Sequence, residues 1–147
     1  MAPRNPKKGD WKVSEEMVRN RLTQSGINRE FPELDIRITK GFVGETLPKF
    51  PRNHGIAFLH IDLDLYAGYR DTLENLWQLV IPGGIVAFDE YREFHPEKPE
   101  YVVNGHPVAK WPGCDKAVDE FFAGRGETLQ YHSPTQKYHI VKGASDK

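Results

Sequence analysis

The sequence has a single cysteine, Cys114, in 147 residues. No intrachain disulfide and no cysteine-built metal site can form from it. It has no excess charge either: 20 basic residues stand against 21 acidic ones, a formal net charge of −1. No field of one sign is available to gather nucleic acid or an anionic membrane, so neither is expected as a partner. Long apolar runs are missing; none approaches the ~20 residues of a bilayer span. The opening MAPRNPKKGD lacks the apolar stretch of a signal peptide. The expectation is a cytoplasmic protein. There is no internal repeat and no low-complexity linker, and Gly9, Gly26 and Gly41 form no G-x-G-x-x-G turn.

What is present suffices for a packed core of one domain: 38% of the residues are hydrophobic and 12% of the chain is aromatic. Residues 1–10 and 143–147 read as flexible ends around one body over 11–142. Ser14 suits a helix N-cap, Val13 is placed to staple to Val18, and Val18 and Leu22 continue a helical stripe to a stop at Gly26. LDIRITKG alternates Ile36 and Ile38 with Arg37 and Thr39, the pattern of a strand with one wet face. GIAFLHID and GIVAFDEY are near-continuous apolar runs, the pattern of strands covered on both faces. Between them Leu73, Leu76, Trp77 and Val80 form a helical stripe that IPGG is expected to end. A polar, proline-bearing segment, 92–111, leads to a helix opened by Trp111-Pro112 with Cys114, Ala117, Val118 and Phe121 on one face. ETLQYH and KYHIVK close the chain as a hairpin about SPTQ. The class is α/β, mainly parallel, with a C-terminal antiparallel hairpin.

Both buried strands finish on acids. Asp62 ends one; Asp89 and Glu90 end the next, after one helical crossover. Strands joined this way are commonly adjacent, and ligands of open α/β sheets bind beyond the carboxyl ends of the strands. Three carboxylates would then meet at one point and raise one another's pKa. A hard divalent cation, Mg²⁺ or Ca²⁺, resolves that conflict. Their oxygens are expected within roughly 3–5 Å of one another, as ~2.1 Å bonds to a shared Mg²⁺ require. Asp64 is read either as an acid assisting that cation or as the cap of the following helix. His60 reads first as a packed strand-end histidine, Tyr69 as cleft wall or core, and Cys114 as an inert core thiol.

The blocks GDWKVSEEMVRNRL, ITKGFVGETLP, LHIDLDLYAGYRDTLENL, GGIVAFDEY and WPGCDKAVDEFF resemble, in order, the macrocin O-methyltransferase family of class I S-adenosylmethionine-dependent methyltransferases. That family methylates sugar or phenol hydroxyls in antibiotic biosynthesis. The resemblance implies a Rossmann-like sheet, incomplete here: the first two strands and the glycine-rich cofactor turn have no counterpart. The chain therefore reads as the C-terminal portion of a longer enzyme, with IRITK deprived of its usual neighbours and one flank of AFLHID unpaired. Such an edge favours self-association.

The resemblance implies S-adenosylmethionine and Mg²⁺, or another divalent cation, as cofactors. It makes Asp62, Asp89 and Glu90 the metal ligands and Asp62 the general base as well. Glu90 stands where the family usually has aspartate. The expected cofactor-binding set is Gly41, Phe42 and His60, the first two matching family residues beside the adenine ring. Asp64, Tyr66, Tyr91 and His95 are expected to face the acceptor, a small molecule with a hydroxyl or diol. A cation there would lower the hydroxyl's pKa and aim it for in-line attack on a sulfonium methyl group. Two other readings stay open. Asp62-Leu63-Asp64 also fits the D-x-D motif of a metal-dependent nucleotide-sugar glycosyltransferase, and the chain could be a non-catalytic remnant that keeps a metal site.

Overall fold

The computed structural model describes residues 13–143. The two ends expected to be flexible, Gly143 apart, and the start of the first matching block lie outside the described residues. The chain divides into two compact units, Met1–Gly41 and Phe42–Lys147.

In the first unit α1 (Glu15–Ser25) begins where its cap is. The Ser14 hydroxyl accepts the Met17 amide N–H at 3.1 Å, satisfying one of the orphan donors of the first turn. Gly26, at φ 75°, ends the helix in the left-handed conformation, and a single turn, α2 (Ile27–Glu30), follows. Residues 34–40 form no strand, although Ile36 and Ile38 stay half-buried between exposed neighbours. The alternation is real; what fails is the ladder, because no described strand pairs with this segment and an unpaired strand has no hydrogen bonds to hold it.

The second unit runs from α3 (Val43–Thr46) through β1 (Ile56–Ile61), α4 (Tyr66–Leu76) and β2 (Val80–Phe88) to a small excursion with β3 (Val102–Val103) and β4 (His106–Pro107). It closes with α5 (Pro112–Phe122), β5 (Leu129–His132) and β6 (Lys137–Val141). The α/β sheet is mixed, in the order β1-β2-β6-β5. The β1·β2 pair is parallel; β2·β6 and β6·β5 are antiparallel, the latter the expected hairpin. Among the described residues no helix is long and apolar enough to cross a membrane.

Tyr69, Leu73 and Leu76 on α4 and Cys114, Ala117, Val118 and Phe122 on α5 are all buried. Spacings of three and four put each set on one helix face, and Tyr69, Leu73 and the α5 residues pack on Ile61, Val86, Phe88 and Ile140 of the sheet. Trp77 fixes the far end, edge-on to Phe122 at 5.0 Å between ring centroids. The stripe thus runs as read, with Phe122 deeper than Phe121. Among the described residues of the second unit nothing covers the opposite face of the sheet: Phe58 is 62% exposed, and Ile85 and Val141 are exposed beside it. This corrects the expectation that β1 and β2 are covered on both faces, since α4 and α5 cover only the face of Val86 and Phe88. No strand among the described residues pairs with the outer flank of β1, as expected for AFLHID.

IPGG does not end the helix. The helix passes at Trp77 into a 3-10 turn, and Val80–Gly84 already belongs to β2. The glycines are needed for a detour within the strand: Ile56 pairs with Val80 but Phe58 with Ile85, so the chain bulges between. Gly83 takes φ 79°. A Cβ on Gly84 would lie 2.8 Å from the Ile81 carbonyl oxygen and 2.9 Å from that of Ile56. Those are backbone atoms with nowhere to go. Gly84→Ala is therefore expected to destabilise the chain by about 2 kcal/mol, as overpacking does, read as a lowered denaturant midpoint at unchanged m-value.

Segment 92–111 is not mere loop. Asn104 and Gly105, both at positive φ, turn β3 into β4, the Asn-Gly hairpin chemistry that VVNGHP carries in the sequence. A bridge between Phe94 and Ala109 closes its base.

Candidate functional site

The acids meet because the ladder delivers them together. Ile61 is opposite Phe88 in the parallel register, and the Asp89 N–H donates to the Ile61 carbonyl at 3.0 Å. One step further, Asp62 and Asp89 leave the two strands side by side. Glu90 follows, turned inward under α4. The ligand atoms of Asp62, Asp89 and Glu90 all lie within 4.8 Å of one another, inside the separation expected from the sequence.

The three carboxyl groups differ in environment. Glu90 is 3% exposed. Its carboxylate accepts a hydrogen bond from the Tyr69 hydroxyl, which stands 3.0 Å from the Ile61 carbonyl oxygen and accepts the Glu90 amide N–H at 3.3 Å. Burial, reinforced by a hydrogen bond and charge repulsion from Asp62, pushes the Glu90 carboxyl up to about 7 against the Tyr69 bond. Burial also keeps the Tyr69 hydroxyl firmly protonated. Asp89 goes the other way: burial alone would raise it, but Lys137 and His60 together hold it below the ordinary carboxylate range. Lys137 Nζ donates to Asp89 Oδ2 at 3.0 Å, and His60 Nε2 stands 3.3 Å from Oδ1. Asp62 is exposed at the rim.

Asp64 is not the helix cap. Leu65 holds that position without a side-chain bond, because Asp64 takes φ 57° and the Leu65 N–H closes on the Leu63 carbonyl at 2.6 Å. Nor is it one of the three clustered acids; burial and the Asp62 charge raise its pKa. The pairing that forms is across two strand ends, not within Asp62-Leu63-Asp64.

Of the other residues singled out in the sequence, His60 reaches Asp89, whereas Tyr91, Tyr66 and His95 have other partners. Tyr91 is 3% exposed, packed against Phe88 and Tyr138, with its hydroxyl bonded to Asp119 Oδ1 at 2.6 Å. That places it in the core, corrected from the cleft by its aromatic neighbours. Tyr66 donates to Glu120 Oε2 at 2.8 Å and lines a cavity of about 280 Å³ between α4 and α5, to which none of the three acids contributes. His95 binds Glu93 at 2.7 Å and Glu97 at 3.0 Å, and Lys110 reaches the same Glu93 oxygen at 2.9 Å. His60 is exposed and stacks with Phe58 rather than packing inside. Gly41 is the last residue of the first unit, and Phe42, 78% exposed, opens the second. Cys114 is buried and its thiol pushed up to about 12 by burial, inert as read. Tyr69 and Lys137 are the participants that the sequence reading did not assign to the site. A signal existed for Tyr69, whose spacing puts its hydroxyl on a buried face where it must find a partner.

A family model described as Macrocin-O-methyltransferase (TylF) matches residues 5–103. Demethyldecarbamoylnovobiocin O-methyltransferase of Streptomyces niveus is 33% identical over 111 residues, 76% of this chain and 34% of that protein. A Streptomyces olivaceus protein, 8-demethyl-8-(2,3-dimethoxy-alpha-L-rhamnosyl)-tetracenomycin-C 4'-O-methyltransferase, is 39% identical over 56 residues, 38% of this chain and 21% of that one. Among solved structures, the O-methyltransferase NovP superposes with TM-score 0.64 at 29% identity, over 90% of this chain and 46% of its own. The calicheamicin methyltransferase CalS11 superposes with TM-score 0.69 at 22% identity, over 95% and 53%, a likeness of fold alone. The chain thus spans about a third of one of these curated relatives, about a fifth of the other and about half of the solved chains.

Proposed function

The chain belongs to the macrocin O-methyltransferase family, and from that premise we propose that it carries the cation- and acceptor-binding end of an S-adenosylmethionine-dependent O-methyltransferase. The acceptor is the hydroxyl of a small sugar or phenolic natural product. The named relatives support the acceptor class, since both are O-methyltransferases by name and one is named for a rhamnosyl compound. The observation that carries the reading is the meeting of Asp62, Asp89 and Glu90 within 4.8 Å.

The donor set fits a hard dication. All three groups are carboxylates, the ligands Mg²⁺ prefers, and the pKa of buried Glu90 is raised in a way that a bound cation would reverse. Asp62, Asp89 and Glu90 would hold the ion, which when bound polarises an acceptor hydroxyl. Asp62, at the open rim, is placed to take that hydroxyl's proton on its carboxylate. Tyr69 keeps the Glu90 carboxyl fixed beneath. S-adenosylmethionine supplies an electrophilic methyl group when bound; Phe42 and His60, whose rings are exposed, would contact it, and Gly41 precedes them in the family pattern. Asp64 would help to orient the acceptor.

The test is methyl transfer from labelled S-adenosylmethionine to a panel of sugar and catechol acceptors, with and without chelator, beside calorimetric titration of the chain with the cofactor. Label in an acceptor that is lost with chelator and restored by Mg²⁺ supports the reading. Transfer indifferent to chelator overturns the metal, and label from a nucleotide sugar instead would establish the glycosyltransferase alternative. Neither cofactor binding nor transfer would leave this chain a remnant.

A further inference from the structure

We propose that Lys137 is a built-in counter-ion of the acid cluster, a positioning residue that holds Asp89 in place and keeps a bare divalent cation weakly bound until an acceptor adds its own negative oxygen. The inference rests on the cation reading above. Lys137 grips one residue at two points: Nζ donates to the Asp89 main-chain oxygen at 2.6 Å and to its Oδ2 at 3.0 Å. Its placement is a matter of register. Tyr138 on β6 is opposite Phe88 on β2, and one further rung brings Lys137 beside Asp89. His60 approaches the other carboxylate oxygen, Oδ1, at 3.3 Å. Asp89 is therefore compensated on both sides, whereas Asp62 has no cationic partner among the described residues.

Without a dication, the ammonium offsets the repulsion among clustered carboxylates and keeps Asp89 in its position. With a dication present, the same ammonium opposes it. At a separation of about 5 Å, a unit charge facing a dication costs roughly tenfold in affinity even at the dielectric of water. An acceptor hydroxyl whose proton passes by way of Asp62 to bulk water brings the missing negative charge, since Asp62 is then ionised again. Cation and acceptor then bind cooperatively, and the site resists filling with metal alone.

The measurement is Mn²⁺ affinity of the 147-residue chain, by calorimetry and by the electron paramagnetic resonance signal of free Mn²⁺, at fixed pH and salt. Lys137→Met is expected to bind Mn²⁺ about tenfold tighter, while Lys137→Arg, which keeps the charge, stays within about twofold of the parent. Should Lys137→Met fail to fold, Lys137→Gln serves the same comparison. Unchanged or weaker binding in the uncharged variants overturns the counter-ion role, provided Asp62→Asn loses binding in the same assay. If neither parent nor variants bind Mn²⁺, the cation reading falls and this inference with it.

Discussion

Asp62→Asn is expected to weaken Mn²⁺ binding by on the order of 100-fold, more than Asp89→Asn does, and to bring chelator-sensitive methyl transfer to background. The ranking follows from the partners of each acid. Asp89 already shares its charge with Lys137 at 3.0 Å and faces His60 at 3.3 Å. Glu90 is buried and its carboxyl sits near neutrality at about 7, so before a cation arrives it contributes less than a full charge. Asp62 supplies the negative charge that is not yet compensated. Removing one carboxylate from a dication costs a few kcal/mol even with water-like screening, hence two orders of magnitude in affinity. Equal losses at positions 62 and 89 would contradict this charge distribution.

The same substitution should stabilise the metal-free protein. Asp62 is among the groups that raise the Glu90 pKa, by a hydrogen bond and by its charge; neutralising it relieves that repulsion. A site residue whose removal costs binding and adds stability is one kept for its chemistry rather than for the fold. Thermal melting of Asp62→Asn without metal at pH 8 checks this, with a rise expected.

How much of this was legible beforehand depends on the range of the interaction. Ser14, Gly26 and the Leu73, Leu76, Trp77 stripe are local, and α1 begins and ends where the residues place it, whereas Val80, read as the end of the stripe, belongs to β2. The meeting of Asp62 with Asp89 and Glu90 was legible as well, because one crossover between two apolar strands leaves few ways to arrange their tips. Coverage of the sheet was not. Phe58 and Ile85 have the composition of a doubly covered strand, but whether anything lies over them is decided by other segments. Ile36 and Ile38 fail as a strand for the same reason: alternation proposes a strand and only a partner makes one. Lys137 was hidden because its place beside Asp89 depends on the register of β6 against β2, 48 residues apart in sequence. Of the two readings of Asp64 the helix cap fails, since a residue at φ 57° cannot occupy the extended conformation of a cap.

Glu90 gives the second large effect, and its sign is fixed by linkage. Its folded pKa, about 7, lies above the ordinary value of 4.5, because burial opposes the charged form. The folded chain therefore keeps a proton that the unfolded chain has released. Stability from this group is complete below pH 4.5 and is lost as pH rises toward about 7, a change on the order of 3 kcal/mol. Asp89 cannot mask the effect, since its lowered pKa acts below its ordinary 3.8, under this window. Urea denaturation of the metal-free chain should show stability falling from pH 5 to pH 8, and Glu90→Gln, which keeps the shape and the acceptor for Tyr69, should flatten the slope. Saturating Mg²⁺ should do the same from the other side, because a bound dication favours the ionised carboxylate and converts its charge from a cost into a contact. A parent profile that rises across this window, or one that Glu90→Gln leaves unchanged, would mean that the carboxyl under α4 is ionised throughout and that the cluster is not strained by its own charge.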